Sequence, residues 1–221
     1  MKIQDALTTR AILREELGAQ WPIMLLKAAK MSGALFRQTH WAGSGGAEAS
    51  FVRRLAFPAA VYFQMRDMAR IGKERALRII ERMILDVGCR EQWSHMKSMR
   101  TAERSGMARL MAFHDLMDEW GAPRFNTRIY KEKTDSQCHF VISRCVFMDF
   151  FTEVGAPELT KPFCKVDRRF FPDAFPDFKF HRGDSWENTI AYGKSQCEFV
   201  FEKKTTGRSH ASGSKEERSM E

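Results

Sequence analysis

The chain has 221 residues, 43% apolar and 29% charged, and its 36 basic and 28 acidic side chains give a formal net charge of +8. That length suits one generous domain or two small ones, and the composition excludes wholesale disorder, a collagen-like fibre and a secreted mini-protein. No apolar run approaches the roughly 18–20 residues of a membrane span, and Met1–Asp5 leads into no hydrophobic secretory segment, so no membrane partner is expected.

From about Ala6 to Trp120 the chain reads as almost wholly helical. Ile12, Leu17, Trp21, Ile23, Leu25, Leu26 and Leu35 recur at mixed three- and four-residue spacings, the pattern of helices burying one face. Gly43–Gly46 is a flexible turn, and Ser50 is placed to cap a helix starting near Phe51. Leu55, Ala59, Phe63, Met68, Ile71, Leu77, Ile80, Met83 and Ile84 continue the helical period, with Gly72 as a dividing point. A further helix is expected from about Thr101 to Trp120, with Met107, Leu110, Met111, Phe113, Leu116 and Met117 inward. The many methionines here read as adaptable core filler.

The texture changes after Gly121-Ala122-Pro123. Ile129-Tyr130 and His139–Ile142 are β-branched and aromatic like strands, Cys145–Val154 reads as a helix stopped by Gly155-Ala156-Pro157, and Pro157 opens another helix running to about Phe171. Phe178–His181 alternates like a strand, and Asn188–Ala191 is expected to pair with Glu198–Phe201 as a hairpin around Gly193–Gln196. The fold class is therefore α+β: a helical region over 1–122, packed with a small antiparallel sheet and helices over 123–204. Residues 205–221, rich in Ser, Gly and charge, are expected to form a disordered tail.

Most standard chemistries are missing. There is no phosphate loop, no dinucleotide glycine fingerprint, no His-Glu-x-x-His helix and no Gly-x-Ser-x-Gly elbow. Basic residues alternate with acidic ones, as in Lys73-Glu74-Arg75, so they read as a solvated face, and no nucleic-acid partner is expected. His114 and Asp118, one turn apart, read as part of a polar surface face. Five cysteines, an odd number without paired short spacings, suit reduced thiols in a cytoplasm. Cys145 has Arg144 beside it at a helix start, and Cys164 is followed by Lys165, Asp167, Arg168 and Arg169. Both settings favour a thiolate, the form of the thiol that attacks. Cys145, Cys164 and Cys197 could instead hold zinc with Asp167 or a histidine, although Cys-x-x-Cys pairs are lacking, or simply fill the core.

The stretches Phe140–Cys145, Phe150–Leu159 and Phe163–Asp167, with Thr189–Gly193 followed by Cys197-Glu198-Phe199, resemble the L-2-amino-thiazoline-4-carboxylic acid hydrolase family over about residues 125–203. The resemblance implies a cytoplasmic hydrolase that opens a small cyclic C–N/C–S bond, converting 2-aminothiazoline-4-carboxylate to N-carbamoyl-cysteine, with no cofactor and a small anionic substrate as partner. A homo-oligomer is left open. Cys145 or Cys164 would attack as a thiolate, or Asp167 would deprotonate water, with Cys197 completing the site. Arg144 would hold the substrate carboxylate, and His181 or His139 would supply a proton. The Gly-x-x-x-Cys-x-Phe ending also resembles 4-vinyl-reductase-type ligand-binding domains. That likeness implies a non-catalytic sensor with an apolar pocket among Phe140, Phe147, Phe150 and Phe163.

Overall fold

The computed structural model describes residues 3–99 and 105–204. The tail expected over 205–221 and the first residues of the helix expected from Thr101 lie outside the described residues. Five helices come first: α1 (Ile3–Leu17), α2 (Trp21–Arg37), α3 (Ala47–Arg66), α4 (Gly72–Ser98) and α5 (Gly106–Trp120). They are followed by strands β1 (Thr127–Lys133) and β2 (Gln137–Arg144), helices α6 (Val146–Glu153) and α7 (Thr160–Ala174), and strands β3 (Phe178–His181) and β4 (Cys197–Lys203). The α+β class expected from the sequence is what the chain forms.

α3 lies at the centre of the helical layers because one stretch of it is small or fully enclosed: Ala56, Ala59, Ala60, Val61 and Tyr62 expose nothing. Such side chains let α2 and α4 approach closely on either side. The helix starts at Ala47, after Gly46 at φ +102°, so Ser50 is an internal residue and not a cap. Gly72, at φ +71°, opens α4 as a dividing residue should. α4 then runs well beyond Ile84, to Ser98, because Cys89 and Met96 extend its buried stripe.

The four strands form one antiparallel sheet in the order β1-β2-β4-β3. The hairpin expected between Asn188–Ala191 and Glu198–Phe201 does not form. Ile190–Tyr192 makes a short 3-10 turn that ends at Gly193, φ +83°, and β4 pairs instead with β2 and β3. Long-range pairing buries more apolar surface here than a local hairpin could, since Phe199 and Phe201 then stand beside Phe140 and Phe180.

Strand alternation gives the sheet two different faces. Cys138, Phe140 and Ile142 of β2 stand on one face with their cross-strand partners Phe201, Phe199 and Cys197. This face meets the helices: His114 of α5 lies edge-on to Phe140 at 5.1 Å, and Phe171 of α7 to Phe201 at 5.0 Å. His114 is thus 2% exposed, where a surface position was expected; its helix turns that flank onto the sheet. α7 also packs along α4, closely enough that a Cβ on Gly88 would sit 2.8 Å from Cγ2 of Val166. One apolar cluster runs from Ile12 to Phe201. No helix of the described residues is long and apolar enough to cross a membrane.

Candidate functional site

Register and helix geometry bring three thiols together at one end of the sheet. Ile142 of β2 faces Cys197 of β4 across the ladder, and three residues later Cys145 stands just before the first turn of α6. α7 supplies Cys164 from the helix laid over this end. Each thiolate would disfavour its neighbours, Cys145 and Cys197 acting on each other and both on Cys164. The backbone N–H of Ile190 donates to Cys197 Sγ at 3.2 Å, which fixes the 3-10 turn above β4.

Asp167 stands one helical turn after Cys164, so both project from adjoining sides of α7. Its Oδ2 accepts a 2.7 Å hydrogen bond from Nη2 of Arg182. Arg182 is 2% exposed. Its guanidinium also donates to the Glu198 carbonyl and lies 4.1 Å over the Phe199 ring, while Asn188 donates to its carbonyl. A guanidinium so enclosed keeps its charge, since arginine does not lose its proton in proteins.

The electrostatics of these groups follow mainly from burial. Loss of solvent pushes Cys145 up to about 12, and the amides of Met148 and Phe147 offset this only in part. The first amide of α6, that of Val146, donates to Oδ1 of Asn126 at 2.9 Å. Burial likewise pushes Cys164 up to about 12 against the opposing charge of Arg182, and it raises Cys197 despite the Ile190 amide. Asp167 is raised to about 6, burial outweighing the attraction of Arg182. The thiols are therefore protonated at neutral pH, and the carboxyl is the group that titrates near it.

Cys145, Cys164, Asp167 and Cys197 are thus gathered, whereas Arg144, His139 and His181 are not with them. Arg144 turns outward and is taken up by Glu48 at 2.9 Å, Asp149 at 2.8 Å and the Phe125 carbonyl. It does not activate Cys145, and its fork is filled by two protein carboxylates. His139 alternates with the inward Cys138 and Phe140, so it occupies the outer face of the sheet, where its Nε2 is 2.7 Å from Glu198. His181 stands on that outer face too, near Glu202 and the Gly183 carbonyl.

Of the four phenylalanines expected to line an apolar pocket, Phe147 and Phe163 stay together, at 4.4 Å between ring centroids, while Phe140 and Phe150 pack against other rings. Phe140 stacks on Phe199, and Phe150 contacts Trp41 and Phe151. Among the described residues no group of three His, Cys, Asp or Glu side chains is arranged to hold a metal ion.

Two residues at the site, Arg182 and Lys161, carry no sequence-based expectation, and Arg168 is expected only as part of the basic setting of Cys164. Arg182 continues the inward parity of Phe178 and Phe180, and that alternation was the available signal. Lys161 and Arg168 flank Cys164 on one stripe of α7, at spacings of three and four. Lys161 lies 4.5 Å over the Tyr192 ring and Arg168 5.0 Å over the Trp186 ring, so both cations are held by the loop that follows β3.

Residues 51–201 match the family model described as L-2-amino-thiazoline-4-carboxylic acid hydrolase. No curated protein matches the chain. Among solved structures the chain is similar to the Fe(II) unliganded H-NOX protein from K. algicida in a mutant form, at 10% identity and a TM-score of 0.39, covering 93% of this chain and 98% of that one. The unmutated form of the same protein aligns at 8% identity and a TM-score of 0.35, covering 93% and 97%.

Proposed function

Because the chain belongs to the L-2-amino-thiazoline-4-carboxylic acid hydrolase family, we propose that it hydrolyses a small anionic cyclic amidine of the 2-aminothiazoline-4-carboxylate kind, with Asp167 as general base. The observation that carries this reading is a carboxyl with a pKa raised to about 6, its side chain still 23% exposed, held in place by an enclosed guanidinium. A base works best when its pKa lies near the working pH, and one that water can reach can activate water.

In this reading the oxygen of a water molecule bonds to the ring carbon between sulfur and nitrogen while Asp167 takes a water proton. Attack moves the C=N electron pair onto nitrogen, which takes the proton of the new hydroxyl as the carbonyl forms. The ring C–S bond then breaks, and the sulfur leaves as the thiol of N-carbamoyl-cysteine. The proton held by Asp167 is the one the sulfur requires, so the carboxylate returns to its starting state. A departing alkyl thiolate, with a pKa of about 8.5, needs little further acid assistance. Lys161 and Arg168, flanking Cys164 on the approach to Asp167, replace Arg144 as the groups that attract the substrate carboxylate. The thiols, protonated at neutral pH, line the site and are not the nucleophile.

Ring opening of 2-aminothiazoline-4-carboxylate tests this. Asp167→Asn should lose most of the rate while Cys145→Ala and Cys164→Ala stay within about tenfold of wild type, because neither removes the base. Loss of activity in a cysteine variant that still folds, with Asp167→Asn active, would overturn it.

A further inference from the structure

Residues 3–37 precede the family match, which starts at residue 51, and their outward faces are unlike a solvated surface. On α1, Ile3 is 82% exposed and Leu7 49%, and Arg10 and Arg14 follow on the same stripe. Spacings of four, three and four keep all four side chains on one face of the helix. α2 repeats the arrangement with Ile23, 63% exposed, and Leu26, 61% exposed, followed by Lys30 and Arg37. The two helices are joined by a three-residue turn, and the Arg10 guanidinium lies 5.3 Å over the Trp21 ring that begins α2.

The charge on these faces is mainly basic, with Glu15, 61% exposed beside Arg14, as the acidic member. α2 contains no acidic residue, and on α1 Glu15 and Glu16 are held by Arg82 and Arg75 of α4. We propose that the α1–α2 pair is a docking surface for an anionic lipid bilayer. Ile3, Leu7, Ile23 and Leu26 enter the boundary between headgroups and acyl chains, and the cations meet the lipid phosphates. Helices that lie in a membrane interface have this pairing of aliphatic anchors with basic residues.

Two other occupants fit less well. A second copy seated about a two-fold axis would bring this predominantly basic face against an identical basic face, which like charges oppose. A protein partner usually meets a surface rich in aromatic residues and poor in lysine, and this one is aliphatic and lysine-bearing.

Co-sedimentation of the full chain with vesicles tests the proposal. Wild type should pellet with phosphatidylcholine vesicles containing phosphatidylglycerol, remain in solution with phosphatidylcholine alone, and be released by salt. Lys27→Glu with Lys30→Glu should weaken binding by about thirtyfold or more, from the loss of two cations near the surface. Ile23→Ser with Leu26→Ser should weaken it on the same anionic vesicles. Both variants should keep the wild-type melting temperature, since all four side chains are exposed, so a loss of binding would not reflect unfolding. Wild type that ignores anionic vesicles, or binds both kinds equally, overturns the proposal. So does a concentration-dependent dimer in sedimentation equilibrium that Ile23→Ser with Leu26→Ser abolishes, because the second copy would then occupy this face.

Discussion

Arg182 and Asp167 share a 2.7 Å hydrogen bond, yet the guanidinium side chain is 1% exposed and the carboxylate 23%. The cation is walled in by Phe199 and the backbone of β4, while the acid can still exchange a proton with water. A fixed positive charge behind a titrating carboxyl is an arrangement suited to a base that is reset on every turnover.

Replacing Asp167 by Asn keeps the shape and removes the proton acceptor. Turnover of 2-aminothiazoline-4-carboxylate should fall by about 10²–10⁴, with the larger share in kcat. Steady-state kinetics on the variant check this, with a circular dichroism spectrum showing that it folds.

Arg182 acts through Asp167 and is a positioning residue. Its charge is what opposes burial at the carboxyl, so Arg182→Met should move the acid limb of the pH–rate profile to higher pH. The variant also leaves Asp167 without its partner. Breaking a buried pair costs about 3–5 kcal/mol, and the partial exposure of Asp167 places this case near the lower end. Arg182→Lys should recover part of the shift in the limb but not the bond to the Glu198 carbonyl. Urea denaturation and the pH profile separate the two effects.

Stability below neutral pH is pulled in opposite directions by two groups. Burial holds His114 well below 6.5, helped by Arg128 and Lys133. The unfolded chain therefore takes this proton first, and stability is lost as pH falls through 6.5, by up to about 1.4 kcal/mol per pH unit. Asp167 is raised instead, so the native state takes its proton first and stability is gained as pH falls from about 6 towards 4. His114→Phe should flatten the loss between pH 6.5 and 5, measured as the urea midpoint against pH. An unchanged slope would mean that His114 is not the group responsible.

Much of the fold could be read from the chain itself, and the misses have physical causes. Phe178–His181 alternates cleanly and is a strand, while the Cys145–Val154 helix and the Gly72 break follow from apolar spacing and glycine. Asn188–Ala191 was misread because pairing β4 into the sheet buries Phe199 and Phe201, a tertiary gain that no local pattern reveals. At the site, the cysteines and Asp167 were identified as chemical types, but their states were not. A sequence shows Arg144 beside Cys145; only the packing shows that Arg144 faces Glu48 and that desolvation controls the thiol. His114 was misassigned because a histidine on a helix carries no sign of which flank meets the sheet.

Gly88 is the contact that sets the height of α7, the helix carrying Cys164 and Asp167. Gly88→Ala should gain about 1 kcal/mol in helix propensity but lose more to the clash with Val166, for a net destabilisation of about 1–2 kcal/mol. Adding Val166→Ala makes room for the new methyl, so the pair should be less destabilising than the sum of the single changes. Ring-opening rates should follow, because displacing Val166 displaces Asp167. Additive effects in a double-mutant cycle would show that the two helices do not meet as described.

The pH dependence of kcat/KM for ring opening of 2-aminothiazoline-4-carboxylate by the wild-type chain tests the role of Asp167 most directly. A carboxylate base raised to about 6 gives a rate that rises tenfold per pH unit below 6, on a single proton, and levels off above it. A limb that keeps rising beyond pH 9 would assign the reaction to a thiol, and no ring opening at any pH would contradict the hydrolase reading itself.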